Sequence, residues 1–221
     1  MIYYTIAMPE QIEILDREKE LSSKYGLVII KPDAIEEDIF EYIINFLATN
    51  LHDYYGVEFT GIFPIQITAE DMQALYPKKS PDLLAKFGDY LTSTESLILC
   101  FRGDGSQNLW QILSRLKGVS IKDRPMEALE SGESLGIEQG GVRGLIPLPD
   151  KKEAYRAIFD KIIESGGDNF MLEMDLFNLY MRNLVHTPDD LDDFSALLNL
   201  LTKEQVELSF GSDNELNHLL K

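Results

Sequence analysis

The sequence has 221 residues, 44% of them hydrophobic, and a formal net charge of −18 from 38 acidic and 20 basic side chains. This length and apolar content are enough to bury a substantial core, which excludes global disorder and favours a single domain with an appendage. A negative charge of this size repels a phosphodiester backbone. Duplex nucleic acid is therefore a poor partner, and any bound phosphate requires a local basic pocket.

The sequence contains no segment typical of secretion or of membrane insertion. The apolar start, Met1 to Met8, has no basic region and is followed by Glu10 and Glu13. No apolar run approaches the ~20 residues of a membrane-spanning helix. Cys100 is the only cysteine, which excludes an internal disulfide and a multi-cysteine zinc site. We therefore predict a cytoplasmic protein without membrane contact.

The first half of the chain alternates between apolar strands and amphipathic helices, behind an N-terminal extension of residues 1–24. In chain order we predict a strand from Tyr25, a helix capped by Asp38 that ends near Asn50, a strand from Val57 to Ile67, helices from Thr68 and from Pro81 to Leu91, a strand from Ser96 to Phe101 and a helix from Gln107 to Lys117 that Gly118 closes. Pro64 indicates that the second strand is an edge strand or carries a bulge.

The second half is more interrupted. Val119 to Gly141 has no clear period and indicates a long functional loop or a flexible insertion, and a second insertion covers 145–182. Lys151 to Glu164 is predicted to be a helix. Phe170 to Val185 is ambiguous, but its end is expected to be the strand that carries His186. Residues from Asp189 to about Leu208 are predicted to be helical, with the acidic cluster Asp189 to Asp193 at the helix start, and 209–221 to be a frayed tail.

This order of elements predicts an α+β fold. Strand, helix, strand, helices, strand, helices and strand in succession are typical of a ferredoxin-like βαββαβ antiparallel sheet with helices on one face. The domain is expected to span 25–208.

Two of the predicted strands end at polar residues that could take part in catalysis. The first ends at Lys31-Pro32-Asp33, and the last ends at His186, with Asn183 three residues earlier. Catalytic groups tend to lie in loops at the ends of rigid elements, so we expect these two strand ends to face one cleft. A lone histidine in such a place is more often a structural residue than a nucleophile. Asn183 and the lysine-bearing strand favour the nucleophile here.

The same residues carry a resemblance to a family. The chain resembles a divergent nucleoside diphosphate kinase through these segments: Ile30-Lys31-Pro32-Asp33, Tyr76, Tyr90-Leu91-Thr92-Ser93, Arg143-Gly144, and Arg182-Asn183-Leu184-Val185-His186 followed by Asp189. It is their order along the chain, rather than any one segment, that makes the match specific. The resemblance spans roughly Tyr25 to Asp193.

The resemblance implies a phosphotransferase that moves the terminal phosphoryl group of a nucleoside triphosphate to a nucleoside diphosphate through a phosphohistidine. By position in the motif, His186 is the nucleophile, Lys31 and Arg143 hold phosphates, Asn183 and Lys31 contact the sugar, and Tyr76 lines the nucleophile. Arg115 and Ser120 are further phosphate contacts, with Ser114 as the ungapped match for Arg115. The base-stacking aromatic aligns with Leu83, so Leu84 or Phe87 supplies the apolar face. Mg²⁺ is expected to arrive with the nucleotide, held by phosphates and water.

Several positions depart from the family pattern. Thr187-Pro188-Asp189 stands where the family has glycine, serine and aspartate, so a serine hydroxyl is missing. The later glutamate that supports the histidine falls on Leu197, which leaves Asp190, Asp192 or Asp193 to replace it. The insertion at 119–141 falls in the loop that builds the family's subunit contacts, so homo-oligomer formation is left open. These departures keep an alternative open, a catalytically inactive nucleotide-binding or regulatory module of the same fold.

Overall fold

The strand β1 (Tyr25–Ile30) is buried at all six of its positions, as its unbroken apolar run predicts. The computed structural model describes residues 9–77, 84, 85, 88, 90–92, 94–118, 140–145 and 183–220, with side chains from residue 15 onward. Three further strands join β1, namely β2 (Glu58–Ile65), β3 (Ser96–Arg102) and β4 (Val185–His186). They form a sheet in the order β2-β3-β1-β4, in which every neighbouring pair is antiparallel.

The helices connect these strands in a ferredoxin-like pattern. The described helices are α1 (Pro9–Lys24), α2 (Pro32–Glu36), α3 (Phe40–Tyr55), α4 (Ala69–Leu75), α5 (Leu109–Lys117), α6 (Leu191–Leu198), α7 (Lys203–Phe210) and α8 (Asn214–Asn217). The connection from β1 to β2 runs through α2 and α3, and β3 lies between those strands. The connection from β3 to β4 includes α5, and β1 lies between that pair. Two interlocked split β-α-β units of this kind confirm the predicted α+β, ferredoxin-like fold.

Helices cover both faces of the sheet. Val28 and Ile30 of β1 pack with the buried side of α3 and with Leu109 and Leu113 of α5. Leu27 and Ile29 pack on the opposite face, with residues of α4, α6, α7 and α8. The expectation of helices on one face is therefore wrong in this detail. Successive side chains of a strand point to opposite faces, so a strand with apolar residues at every position requires cover on both.

The prediction that Asp38 caps the helix α3 is also wrong. Asp38 has a φ of 56° and follows α2, a short helix that the sequence analysis did not anticipate. Its N–H donates to the Ile35 carbonyl, and the N–H of Ile39 donates to the Ala34 carbonyl. These two bonds are the Schellman arrangement that ends a helix. Asp38 therefore closes α2, and α3 begins two residues later and extends to Tyr55.

Other helix and strand boundaries follow the predicted local chemistry. Thr68 accepts a bond from the Asp71 N–H and caps α4 in a capping box. Asn108 caps α5, and Gly118 ends it with a φ of 85°. The strand β2 lies at the edge of the sheet and its register shifts between Phe59 and Gly61. An edge strand tolerates Pro64, which lacks an N–H to donate, as predicted.

The C-terminal residues pack on the core. Phe210 and Leu216 are buried among residues of the sheet face that α6 also covers. Asp213 accepts a hydrogen bond from the Tyr25 hydroxyl and caps α8. The expected frayed ending is therefore wrong for the described residues up to 220. Apolar side chains at Phe210 and Leu216 dock the segment, which gains more from burial than it loses in chain entropy.

Trp110, the only tryptophan in the sequence, joins α5 to α6. Its indole N–H donates to the Tyr25 carbonyl at 2.8 Å, and its ring stacks on Phe194 with centroids 5.0 Å apart. Both rings are almost fully buried, at 3% and 0% exposure. Because the indole nitrogen has a partner, the whole side chain can lie in the core without an unsatisfied donor.

Some predicted elements lie outside the described residues. These are the helix from Lys151 to Glu164, the ambiguous segment from Phe170 up to residue 182, and most of the insertion from Val119 to Gly141. Of the predicted helix from Pro81 to Leu91, only Leu84, Ala85, Gly88, Tyr90 and Leu91 are described, and all five are helical. None of the described helices is long and apolar enough to cross a membrane.

Candidate active site

The end of β1 and the edge strand β4 meet at one corner of the sheet. The Lys31 N–H donates to the Leu184 carbonyl at 2.8 Å, and Ile29 pairs with His186 across the two strands. The C-terminal ends of two antiparallel strands of ordinary length lie at opposite edges of a sheet, but β4 has only two residues. Lys31 and His186 therefore remain neighbours, and both lie on the face to which Ile29 points.

An uncommon backbone turn precedes the histidine. Leu184 has a φ of 68°, and the Val185 N–H donates to the Asn183 carbonyl across it at 2.8 Å. This is a γ-turn, which is strained for a residue with a side chain. Burial of Leu184 and a 2.9 Å bond from its N–H to Oδ2 of Asp33 hold it in place. The turn sets the position of Asn183 and of the strand that carries His186.

His186 is oriented by a carboxylate from α6. Its Nε2 lies 3.0 Å from Oδ1 of Asp193, and both side chains are only about one-seventh exposed, at 14% and 15%. The other oxygen of Asp193 accepts the Asp189 N–H at 3.1 Å. Burial lowers the pKa of His186, and Asp193 opposes this shift. Because an ionised carboxylate can only accept, Nε2 of the neutral ring carries the proton and Nδ1 keeps a lone pair.

Tyr76 lies against the imidazole. Its ring centroid is 5.9 Å from that of His186, with the two planes inclined by 55°. Burial raises the pKa of Tyr76, and Asp193 raises it further. The phenol therefore stays protonated across the physiological range and can donate a hydrogen bond.

Lys31 is a buried amine beside Asn183. Its side-chain Nζ donates to Oδ1 of Asn183 at 2.8 Å, and the residue is 2% exposed. Burial lowers the pKa of Lys31 to about 7, Arg143 and Lys117 act in the same direction, and Asp33 opposes them. Near neutral pH this amine is therefore poised to gain or lose its charge in response to an anion.

Asp33 anchors three segments at this corner. Its carboxylate accepts hydrogen bonds from the Leu184 N–H and from the hydroxyl of Tyr90, which belongs to the described helical residues near 90. Its own N–H donates to the Tyr90 oxygen at 3.2 Å. Asp33 thus ties the ends of β1 and β4 together behind Lys31.

Arg143 reaches the strand that carries the histidine. Its guanidinium donates to the Val185 carbonyl at 3.5 Å. The turn of 3-10 helix that carries it, Val142–Leu145, lies against α5, and the residues just before the turn approach Gly118 at the end of that helix. A side-chain carbon on Gly118 would lie 1.7 Å from the Gly140 carbonyl oxygen, so only glycine permits this approach. The close contact brings Arg143 beside the last residues of α5.

Lys117 is a third cationic group in this region, and it is absent from the site residues predicted from the sequence. Its Nζ lies 3.2 Å from Oδ1 of Asp189, and its side chain is 8% exposed. Burial lowers the pKa of Lys117; Asp189 opposes the shift and Arg143 adds to it. The available signal was helical spacing, because Lys117 follows the buried Leu113 by four residues and so shares its face.

Comparison with known proteins identifies the fold. Neither a protein-family model nor a curated protein sequence matches the chain. Solved structures do match. An NDP kinase from Pyrobaculum aerophilum is 17% identical, with a TM-score of 0.50 over 83% of this chain and 98% of that one. A nucleoside diphosphate kinase from Borrelia burgdorferi is 11% identical, with a TM-score of 0.52 over 82% and 89%. A nucleoside diphosphate kinase family protein from Babesia bovis is 14% identical, with a TM-score of 0.52 over 82% and 90%.

The chain has the nucleoside diphosphate kinase fold. The resemblance seen in the sequence is thereby confirmed for the fold.

The residues beside the histidine differ from those that the resemblance in the sequence implies. Leu197, at the position of the family's glutamate, is fully buried in the core and carries no polar group. Of the three aspartates left open by the sequence, Asp193 contacts the histidine, while Asp190 caps α6. With Pro188 in place of the serine, the Asp189 N–H supplies the donor that holds the carboxylate.

The remaining predicted nucleotide contacts are only partly described. Leu83, Phe87 and Ser120 lie outside the described residues, as does Arg182. Arg115 is described and exposed, on a different side of α5 from Lys117. The structure therefore brings together Lys31, Tyr76, Arg143, Asn183 and His186 from the predicted set, and it adds Asp193 and Lys117.

Proposed function

We propose that this chain is a phosphotransferase that moves the terminal phosphoryl group of a nucleoside triphosphate to a nucleoside diphosphate through a phosphohistidine at His186. The observation that carries the proposal is the hydrogen bond from His186 Nε2 to Asp193, which leaves Nδ1 as the nucleophilic nitrogen. The bond lies within a cluster of Lys31, Lys117 and Arg143, on a chain of net charge −18. Such a concentration of cations suits a polyphosphate ligand.

The first half-reaction begins with attack of His186 Nδ1 on the terminal phosphorus. The N–P bond forms as the bridging P–O bond breaks, and the nucleoside diphosphate departs with that electron pair on its terminal oxygen. The ring becomes a phosphoimidazolium, whose positive charge the Asp193 carboxylate stabilises through Nε2–H. In the second half-reaction a terminal oxygen of the acceptor diphosphate attacks the same phosphorus, and the ring leaves as neutral imidazole. Neither half requires a net proton transfer.

The side chains around the histidine position the phosphates. Lys31 and Arg143 contact their oxygens, the lysine as a point charge and the arginine through its planar fork. Asn183 and Lys31 contact the ribose. Tyr76, protonated and against the imidazole, donates to an oxygen of the transferred group. Arg115, Ser120, Leu83 and Phe87 retain their proposed roles in phosphate and base binding.

Mg²⁺ belongs to the proposal as a companion of the nucleotide. Within the described part of the chain, no three histidine, cysteine or carboxylate side chains converge to hold a metal ion. The ion would be held chiefly by phosphate oxygens and water, and it would neutralise charge on the phosphates. The Borrelia burgdorferi kinase of the same fold holds vanadate and ADP in a transition-state mimic. By analogy, we propose nucleoside di- and triphosphates as ligands here, in a cytoplasmic setting.

The test is an intact-mass spectrum after brief incubation with ATP and Mg²⁺ at neutral pH, because phosphoramidate bonds hydrolyse in acid. We expect a gain of one phosphoryl mass, which a second nucleoside diphosphate then discharges. The gain should disappear in His186→Asn and persist in His52→Asn and His218→Asn, which change the other two histidines, both exposed.

Two outcomes contradict the proposal. Phosphoryl transfer that survives in His186→Asn removes the nucleophile assignment. Nucleotide binding without any mass gain favours the alternative, a nucleotide-binding or regulatory module that has lost turnover. That alternative depends on two positions, Leu197 and Pro188, where the resemblance implies a glutamate and a serine beside the histidine.

A further inference from the structure

Lys117 is buried beside other cations but paired with a carboxylate that faces water. Its side chain is 8% exposed, whereas that of Asp189, its partner at 3.2 Å, is 69% exposed. A buried ammonium loses hydration, which its partner must offset, and a largely hydrated carboxylate does so only in part. This asymmetry makes Asp189 a counter-ion that can be released to solvent at little cost.

A chain of hydrogen bonds connects Lys117 to the proposed nucleophile. Asp189, which holds the lysine through its side chain, donates its backbone N–H to Asp193, and Asp193 bonds His186. On the other side, the contact between Gly118 and Gly140 brings Arg143 alongside the end of α5. Lys117 therefore reaches the cleft from α5, whereas Lys31 reaches it from β1.

We propose that Lys117 binds a phosphate group of the ligand. In the free protein the Lys117 ammonium is paired with Asp189, and the phosphate replaces that carboxylate on binding. This inference rests on the proposed function, because it presumes a nucleotide or other polyphosphate in the cleft. A phosphate oxygen offers Lys117 a stronger ionic acceptor than a largely hydrated aspartate does, and the Asp189 side chain then moves into water.

The competing explanation is that the Lys117–Asp189 pair is only a structural tie that holds the segment after His186. The two explanations predict opposite signs for one variant. If Lys117 binds phosphate, Lys117→Gln weakens ligand binding and Asp189→Asn strengthens it by freeing the lysine. If the pair is a tie, both variants loosen the segment and both weaken binding.

The experiment measures binding of ADP and of inorganic tripolyphosphate to the full chain by titration calorimetry. We expect Lys117→Gln to lose about tenfold or more in affinity for both, the effect of one charge-assisted hydrogen bond. Asp189→Asn should raise the affinity for both ligands severalfold. It should gain more than Asp192→Asn, which removes the same charge from the exposed side of the neighbouring turn. Lys203→Gln breaks an exposed lysine–carboxylate pair on α7, a helix that packs on β2 and β3, and should change nothing.

A double variant separates a specific exchange from general electrostatics. In the Lys117→Gln background, Asp189→Asn should lose most of its effect, because no ammonium remains to be freed. If Asp189→Asn still raises the ligand affinity by the same factor in that background, the proposal is overturned. An unchanged affinity in Lys117→Gln overturns it as well. Because Asp189 is exposed, its variant folds independently of whether Lys117→Gln is stable.

The outcomes for this inference and for the proposed function are distinct. If the wild-type chain binds ADP and neither Lys117→Gln nor Asp189→Asn changes that affinity, the role of Lys117 is overturned and the phosphotransferase proposal stands. Opposite-signed responses without any phosphoryl mass on His186 support Lys117 as a phosphate ligand and contradict the kinase. A chain that binds neither ADP nor tripolyphosphate overturns both.

Discussion

Oδ1 of Asp193 lies 3.0 Å from Nε2 of His186, although one residue begins a helix and the other ends a strand. The helix end that carries the carboxylate is itself fixed, because Asp190 accepts the Asp193 N–H at 2.9 Å as the N-cap of α6. Unpaired N–H groups at a helix start interact favourably with a carboxylate at this position. A single capped turn thus determines which imidazole nitrogen is available.

Asp193→Asn should slow phosphorylation of His186 by about 10²–10⁴-fold, because an amide no longer fixes the tautomer or stabilises the phosphoimidazolium. The measurement is single-turnover phosphorylation by ATP, quenched at neutral pH. Asp192→Asn is the matched control, since Asp192 is exposed in the same helical turn. A rate that falls equally in both variants would assign the effect to general charge loss and not to the bond with His186.

Binding of ADP at pH 8 should take up protons through Lys31. The pKa of this amine is lowered from 10.5 to about 7 in the free protein, so it is mostly neutral at pH 8. A phosphate that favours the ammonium raises that pKa again and draws a proton from the buffer. Calorimetry in two buffers of different ionisation enthalpy measures this uptake, which should fade as the pH falls below about 7.

Lys31→Met should remove that uptake, whereas Lys203→Gln, which changes an exposed side chain of α7, should not. The lowered pKa of Lys31 also affects the stability of the folded chain. Between about 7 and 10.5 the unfolded chain binds the additional proton, so this group makes the free energy of unfolding rise with pH across that window. Proton uptake of equal size in wild type and Lys31→Met would show that another group titrates.

Gly118→Ala should destabilise the chain and weaken ADP binding together. The new carbon would lie 1.7 Å from the Gly140 carbonyl oxygen, so the turn that carries Arg143 must move away. Gly56→Ala is the control, because Gly56 also has a positive φ, of 64°, but nothing lies within 4 Å of the added carbon. It should cost only the backbone strain of about 1–2 kcal/mol.

Chemical denaturation and ADP titration of both glycine variants check this pair. The larger loss of unfolding free energy, and the only loss of ADP affinity, should belong to Gly118→Ala. Equal costs in the two variants would mean that residues 140–145 yield without strain, and that Arg143 does not depend on this contact.

The sequence predicted most of the sheet and the polar residues at its strand ends. Strand runs such as Tyr25 to Ile30 have strong local signals, and the order of elements along the chain then leaves few topologies. Lys31, Asn183 and His186 adjoin those strands, so their proximity follows once the strands pair. The prediction that Asp38 caps α3 was wrong because helix ends depend on local turns, and α2 is too short to show a period.

Supporting residues were harder to predict, because they depend on how helices rotate against the sheet. Asp190, Asp192 and Asp193 share one acidic run, and only the docking of α6 decides which of them faces His186. Lys117 was absent from the predicted site because a lysine near a helix end is ordinarily solvated. Its burial depends on the glycine contact between α5 and residues 140–145, which lie on either side of a long insertion.

The stacking of Trp110 on Phe194 provides the chain with a built-in optical reporter. Trp110 is the only indole in the sequence, it stands on the helix of Lys117, and its stacking partner follows Asp193 directly. Any shift of α5 against α6 changes the surroundings of this one ring. Its fluorescence emission can therefore follow, without a dye label, how fast the two helices respond when a ligand enters between them.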